Sequence, residues 1–117
     1  MAPPSFDPHG YLEEGIHRCT LEQLDSLLGW NACRQQLLSQ LRQFLMETLE
    51  PAMGVQTPLV LDGSFVTQHE HPSDIVVVLL LDELSEDGFW RAADLYQQQK
   101  AFRERYQIRL FVQTQIG

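Results

Sequence analysis

The sequence is 117 residues long, which suits one domain built around a single hydrophobic core. Its composition, 44% hydrophobic and 21% charged, is typical of a soluble globular protein and not of a disordered one. The formal net charge of -8 opposes attraction to phosphate backbones and to anionic lipid. Nucleic acid and the membrane are therefore disfavoured as partners, whereas a basic protein would suit this charge.

The cysteines and the absence of targeting signals indicate the cellular compartment. The two cysteines, Cys19 and Cys33, lack zinc-like spacing and are interpreted as free thiols. Residues 1–20 lack a basic start followed by an apolar run, and no stretch approaches the length of a membrane span. We therefore expect a cytoplasmic protein.

The first residues of the chain are rich in proline and glycine. This composition over residues 2–19 predicts an extended arm that lies on the domain, because both residue types interrupt helices and strands. The predicted anchors of the arm are Phe6, Tyr11, Leu12 and Ile16. The domain itself is predicted to span residues 20–117.

Two helices are predicted after the arm. Thr20 and Gln23 form a capping-box pattern at the start of a short helix that Gly29 ends, and Asn31 is the predicted N-cap of a longer helix ending before Pro51. Apolar residues at spacings of three and four mark the buried face of the longer helix. These are Leu37, Leu38, Leu41, Phe44, Leu45 and Leu49. The solvent-facing side is predicted to carry Arg34, Arg42 and several glutamines.

Strand signals occupy the second half of the chain. A short buried strand is predicted at 59–61, a central strand covered on both faces at 75–81, and an alternating strand at 108–113. Between the last two, Ser85 is the predicted N-cap of a helix that runs to Tyr106. Its predicted apolar face carries Phe89, Trp90, Ala93, Tyr96 and Lys100, continued by Phe102 and Tyr106. The order predicts an α/β domain with a small mixed sheet and helices packed on it.

The turn between the first two strands has the composition of a phosphate-binding site. Gly63 allows close approach of the backbone to a ligand, and the following N–H groups and the Ser64 hydroxyl can donate to phosphate oxygens. A plain strand-end turn has the same composition. Ser64 lacks the histidine and acid that a hydrolase nucleophile requires.

In its central motif the chain resembles the nucleotidyltransferase superfamily, which includes polymerase-beta-like enzymes, minimal nucleotidyltransferases and oligoadenylate-synthase-like proteins. Their signature is a Gly-Ser turn followed, after a loop, by Asp-x-Asp on the next strand, and Gly63, Ser64 and Asp74 match it. The segment from Gly10 to His17 and the run 72–75 are similar to a small bacterial branch of that superfamily. The resemblance implies a single nucleotidyltransferase-like domain.

The resemblance also implies where the catalytic acids should lie. In active members, two acids on this strand and a third on a later strand hold magnesium ions that act on a nucleoside triphosphate. Here Val76 occupies the second position and Arg109 the expected third position, so Asp74 is the remaining candidate metal ligand. A single carboxylate makes a poor magnesium site. The motif is therefore interpreted as degenerate.

Three hypotheses follow. The first is a binding protein without a cofactor, either an antitoxin or immunity protein that masks a toxin or another regulatory subunit. The second is an active magnesium-dependent nucleotidyltransferase with a relocated set of carboxylates, in which Asp62 and Asp74 are the first candidates. The third is a nucleotide sensor in which Gly63, Ser64 and Arg109 bind phosphate without turnover.

Two further clusters have alternative interpretations. His69, Glu70 and His71 resemble metal ligands in type, but alternation along an extended loop separates neighbouring side chains. The acids of the segments 82–83 and 86–87 suit a docking face for a basic partner or, alternatively, a solvated connection at the start of a helix.

Overall fold

A computed structural model describes residues 6, 8, 10, 20–54, 57 and 59–114. Four of the residues discussed above, Tyr11, Leu12, Ile16 and Cys19, lie outside the described residues, as do most of the segment 10–17 and the side chain of Glu83.

The described chain is an α/β domain with a three-stranded mixed sheet, as its sequence predicts. The helices are α1 (Leu21–Leu28), α2 (Ala32–Phe44), α3 (Glu50–Met53), α4 (Glu86–Gln97) and α5 (Gln99–Tyr106), and a π-helical turn, Leu45–Leu49, joins α2 to α3. The strands are β1 (Leu59–Asp62), β2 (Ile75–Leu80) and β3 (Ile108–Gln113), and short 3-10 turns follow β1 (Ser64–Val66) and β2 (Leu81–Glu83).

The sheet has the order β1-β2-β3. Strand β1 pairs antiparallel with β2, and Asp62 lies opposite Val76. Strand β3 pairs parallel with β2 through the α4–α5 crossover, and Arg109 lies opposite Val76 on the other side. Three positions from three different strands therefore form one row across the sheet.

One face of the sheet forms the core. Ile75, Val77 and Leu79 of β2 are fully buried together with Ile108 and Leu110 of β3, which confirms the predicted alternation of β3.

The other face of the sheet is more open. Val76 and Leu80 are half-buried and Arg109 and Phe111 are exposed. The prediction that β2 is covered on both faces is therefore confirmed at Val78, which is buried, and wrong at Val76 and Leu80. The long apolar run of β2 predicts a doubly covered strand, but its neighbours on the outer face are partly polar.

The two predicted N-caps after the arm are confirmed. Thr20 Oγ1 accepts from Gln23 N at 3.2 Å and Gln23 Oε1 accepts from Thr20 N at 2.8 Å, which completes the capping box of α1. Asn31 Oδ1 accepts from Arg34 N at 2.8 Å at the start of α2. The predicted apolar face is also confirmed, with Leu45 half-buried and the rest buried.

The prediction that this helix ends before Pro51 is wrong, since helical structure continues to Met53 and Gly54 ends it. The π-helical turn explains the difference. Glu50 N donates to Leu45 O across five residues, so the hydrogen-bond register shifts immediately before the proline, which has no N–H to donate.

The predicted third helix is divided at Gln98 into α4 and α5. Its N-cap is confirmed, because Ser85 Oγ accepts from Gly88 N at 3.1 Å. Its predicted apolar face is wrong over α4 and confirmed in α5, where Phe102 and Tyr106 are buried. The residues that enter the core are Ala92, Leu95, Phe102 and Tyr106, whereas Trp90 is 64% exposed and Phe89 38% exposed.

Two described residues of the arm contact the domain. The ring of Phe6 packs edge-on against Trp30 with centroids 6.0 Å apart, and Gly10 O accepts from Gln68 N at 2.8 Å. Phe6 thus has the predicted role of an anchor. Every helix in the described part of the chain is too short or too polar to span a membrane.

Candidate functional site

The candidate site begins at the turn after β1. Asp62 ends the strand, and its Oδ1 accepts from Gly63 N at 2.8 Å. Gly63 has φ 82° and ψ -166°, and Ser64 then opens the 3-10 turn Ser64–Val66. The side chains of Asp62 and Ser64 are exposed. The strand and the turn lie where the sequence predicts them, and the first N–H of the turn is bonded to the Asp62 carboxylate.

Gly63 is packed against the neighbouring strand. A Cβ on Gly63 would lie 2.8 Å from Val76 Cγ2, closer than such atoms approach in proteins. Its positive φ already favours glycine, because L side chains rarely adopt that backbone conformation. Both the shape of the turn and the side chain of Val76 therefore require glycine here.

Val76 stands in the middle of the row that crosses the sheet beside this turn. Its partners are Asp62 on β1 and Arg109 on β3, and directly paired residues project from the same face of a sheet. The Arg109 guanidinium carbon lies 5.5 Å from the centroid of the Phe111 ring, two residues along the same face. The row thus contains one acid, one apolar residue and one base.

Asp74 lies immediately before β2 and is half-buried. Strand alternation places it on the same face as Val76, two residues along. Its loop is held by Gln107, which caps α5 with φ 57°, donates from Nε2 to Ser73 O at 3.0 Å and accepts from Ile75 N at 3.0 Å. Sequence reasoning missed Gln107, since nothing local marks it as a support for a loop thirty-four residues earlier.

A buried arginine holds the rest of the loop between β1 and β2. The Arg34 side chain is 0% exposed, and its guanidinium donates five hydrogen bonds to the carbonyl oxygens of Leu28, Phe65, Thr67 and His69 at 2.5–3.1 Å. These bonds use every N–H of the guanidinium. Its carbon also lies 3.7 Å from the centroid of the Trp30 ring.

The prediction that Arg34 faces solvent is therefore wrong. None of the ion pairs in the described part of the chain involves Arg34, so the charge is compensated by carbonyl dipoles and an aromatic face. Burial lowers the pKa of its guanidinium below the usual value for arginine. The contact that buries it comes from residues distant in sequence, which helical periodicity cannot reveal.

The start of α2 makes two more contacts with this loop. Asn31 Nδ2 donates to Glu70 O at 2.7 Å, and the free thiol of Cys33 donates to Pro72 O at 3.5 Å. Cys33 is half-buried, and the prediction that its thiol is free is confirmed. Together with Arg34, these residues fix the loop 65–72 on the first turn of α2.

The histidine-rich part of that loop is shaped by backbone contacts. His69 Nδ1 accepts from His71 N at 3.2 Å, so one of its two ring nitrogens is already occupied. Within the described residues, no three of the histidine, cysteine, aspartate and glutamate side chains lie close enough together to hold a metal ion. Asp62 and Asp74 therefore belong to no such group within the described residues.

A shallow cleft lies away from this region, between α1 and α2. It has a volume of about 340 Å³ and is lined by Asp25, Gly29, Gln35, Ser39 and Arg42. Arg42 donates to both carboxylate oxygens of Asp25 at 3.0 and 2.6 Å, and this hydrogen-bonded pairing lowers the pKa of the Asp25 carboxyl. The cleft is separate from the Gly63 turn.

No curated protein and no solved structure matches the chain. One family model, described as a family of unknown function (DUF6932), matches residues 4–116. Because this match covers nearly the whole sequence, the chain belongs to the family DUF6932.

Proposed function

We propose that the domain is a nucleotidyltransferase-like protein that lacks the catalytic metal site and acts by binding another protein. The observation that carries this proposal is the row of Asp62, Val76 and Arg109 across the sheet. The second and third acid positions of an active enzyme in the resembling superfamily are adjacent here, at Val76 and Arg109, and neither has a carboxylate.

The charges of this row disfavour a magnesium site. Magnesium is held by one or two carboxylates together with substrate phosphates, and a two-metal site needs several acids in one place. Arg109 puts a positive charge beside Val76, where it repels a divalent cation. Val76 packs on Gly63, so this position supports the turn and supplies no ligand.

The proposed role is that of an antitoxin, an immunity protein or another regulatory subunit, acting in the cytoplasm. The net charge of -8 suits a basic protein partner. A domain of this size that binds without turnover needs only a stable fold and a complementary surface.

A transfer assay tests the proposal. The purified protein is incubated with each labelled nucleoside triphosphate, magnesium, and either total RNA or a protein mixture, and the same is done with Asp74→Ala. We expect no transfer by either protein. Transfer by the wild type that Asp74→Ala abolishes would refute the proposal.

The alternative is an active magnesium-dependent nucleotidyltransferase. It is favoured by the positions of Asp62 and Asp74, which end β1 and precede β2 on either side of the Gly63 turn. In this alternative the two carboxylates hold the metal and Ser64 contacts the triphosphate. It predicts magnesium-dependent stabilisation by a nucleotide that is lost in both Asp62→Asn and Asp74→Asn.

A further inference from the structure

Helix α4 carries a second apolar surface that the core does not use. Its core side is formed by Ala92 and Leu95, which are 0% and 4% exposed. At helical spacing, Trp90 projects from the opposite side, where it is 64% exposed. A helix of a small globular domain normally has one apolar face, so the second requires another explanation.

This second surface is compact. The rings of Phe89 and Trp90 pack edge to face with centroids 5.4 Å apart, and Ala93 lies one helical turn beyond Phe89 on the same side. We name these three residues, Phe89, Trp90 and Ala93, the α4 outer patch. Exposed tryptophan in an ordered aromatic pair is typical of the anchor residues at protein interfaces.

Two acidic residues flank the patch along the helix. Glu86 and Asp94 lie one turn before and one turn after Trp90, and both are exposed. Within the described part of the chain neither forms an ion pair, whereas Asp87 is paired with Arg91 at 3.0 Å. The patch is therefore an apolar centre between two uncompensated carboxylates.

We propose that the α4 outer patch docks a basic amphipathic segment of another protein, whose apolar side covers Trp90 and whose lysines or arginines meet Glu86 and Asp94. Charge complementarity selects this occupant. A second copy of the chain would bring the same acids against each other, in a protein whose net charge is already -8. This inference deepens the proposed function, because it rests on the domain acting by binding and names the chemistry of the partner.

The test uses three labelled synthetic peptides of equal length and helical pattern, built from leucine and lysine, leucine and glutamate, or serine and lysine. Fluorescence anisotropy measures their binding to the wild type, Trp90→Ala, Met46→Ala and the double variant Glu86→Gln/Asp94→Asn. Met46 is the matched control, because it is also 64% exposed but lies on the π-helical turn. Thermal unfolding establishes that each variant is folded.

We expect saturable binding of the leucine–lysine peptide alone, with a Kd raised at least about tenfold by Trp90→Ala and unchanged by Met46→Ala. The double variant should also weaken binding. Equal affinity for wild type and Trp90→Ala would overturn the proposal, as would self-association that Trp90→Ala abolishes, which would assign the patch to a second copy. Failure of this test leaves the proposed function standing, whereas nucleotide transfer by the wild type would refute that function without testing the patch.

Discussion

Val76 packs so closely against Gly63 that its Cγ2 would stand 2.8 Å from a Cβ at the glycine position. This contact joins the turn after β1 to the central strand and makes the two residues interdependent. In the resembling superfamily the same turn precedes a strand that carries catalytic acids. Here the turn is present, and the residue that supports it is apolar. The proposed loss of the metal site is therefore compatible with a well-formed turn.

Replacing Gly63 by alanine should destabilise the domain more than the same change at Gly54. Both glycines have positive φ with extended ψ, so each substitution costs about 1–3 kcal/mol of backbone strain. Of these two glycines, Gly63 has a neighbouring side chain where its Cβ would lie, whereas no described residue lies within 4 Å of a Cβ at Gly54. Overpacking against Val76 should increase the loss of unfolding free energy in Gly63→Ala by about 1–3 kcal/mol. Chemical denaturation measures both free energies of unfolding.

The additional destabilisation by Gly63→Ala, relative to Gly54→Ala, should depend on the side chain of Val76. In a Val76→Ala background the clashing Cγ2 is absent, so Gly63→Ala and Gly54→Ala should then cost similar amounts of unfolding free energy. If Gly63→Ala still destabilises the Val76→Ala protein more than Gly54→Ala does, the contact with Val76 is not the cause of the difference.

Arg34→Lys should be strongly destabilising although the charge is kept. An ammonium group has three donors and cannot reach all four carbonyl oxygens that the guanidinium contacts, so several buried carbonyls lose a partner. We expect a loss of about 2–5 kcal/mol in the free energy of unfolding. Arg103→Lys, at an exposed position of α5, is the control and should change stability by about 0.5 kcal/mol or less. Equal effects of the two variants would contradict the account of Arg34 as the residue that fixes the loop.

The Asp25–Arg42 pair should make part of the stability dependent on pH. Hydrogen bonding from Arg42 lowers the pKa of Asp25 in the folded protein, so the pair stabilises the fold above the ordinary aspartate pKa. That contribution should disappear as the pH falls through the lowered pKa of the folded state. The difference in melting temperature between wild type and Asp25→Asn should therefore be present at neutral pH and vanish in strong acid. A constant difference across this range would refute the linkage.

Placing acids in the row of Asp62, Val76 and Arg109 should make the melting temperature of the protein depend on magnesium. Val76→Asp combined with Arg109→Asp gives all three positions of the row a carboxylate on the outer face of the sheet, with Asp74 two residues before position 76. We expect repulsion among these acids to lower the melting temperature and magnesium to raise it again by binding the folded state. The neutral variant Val76→Asn/Arg109→Asn controls for the loss of Arg109 and should not respond. Equal responses of the two double variants would show that the row does not position the acids for a metal ion.

Local signals in the sequence predicted much of this fold. The capping box of Thr20 and Gln23 and the N-caps Asn31 and Ser85 depend on residues three positions apart, which the sequence displays directly. The alternation of β3 likewise reflects a single buried face, and Ile108 is fully buried as predicted. Such features are readable because the interacting residues are neighbours in the chain.

The wrong predictions, for Arg34 and for the apolar face of α4, have a different cause. Arg34 has the polarity of a surface residue, and its acceptors at Phe65, Thr67 and His69 are more than thirty residues away. The sequence predicts that α4 buries Phe89 and Trp90, but the core takes Ala92 and Leu95 from α4 and aromatic side chains from α5. Tertiary packing decided both cases. At the candidate site, the motif predicted the turn and the strand, while the row itself depends on the sheet register.

The most direct test of the central claim is the thermal unfolding of the wild type with each nucleoside triphosphate, measured with and without magnesium. A ligand that binds the folded state raises the melting temperature by mass action. We predict no magnesium-dependent rise with any nucleotide. A rise that requires magnesium and is lost in Asp74→Asn would contradict the account, because it would show that the site still binds a metal–nucleotide complex.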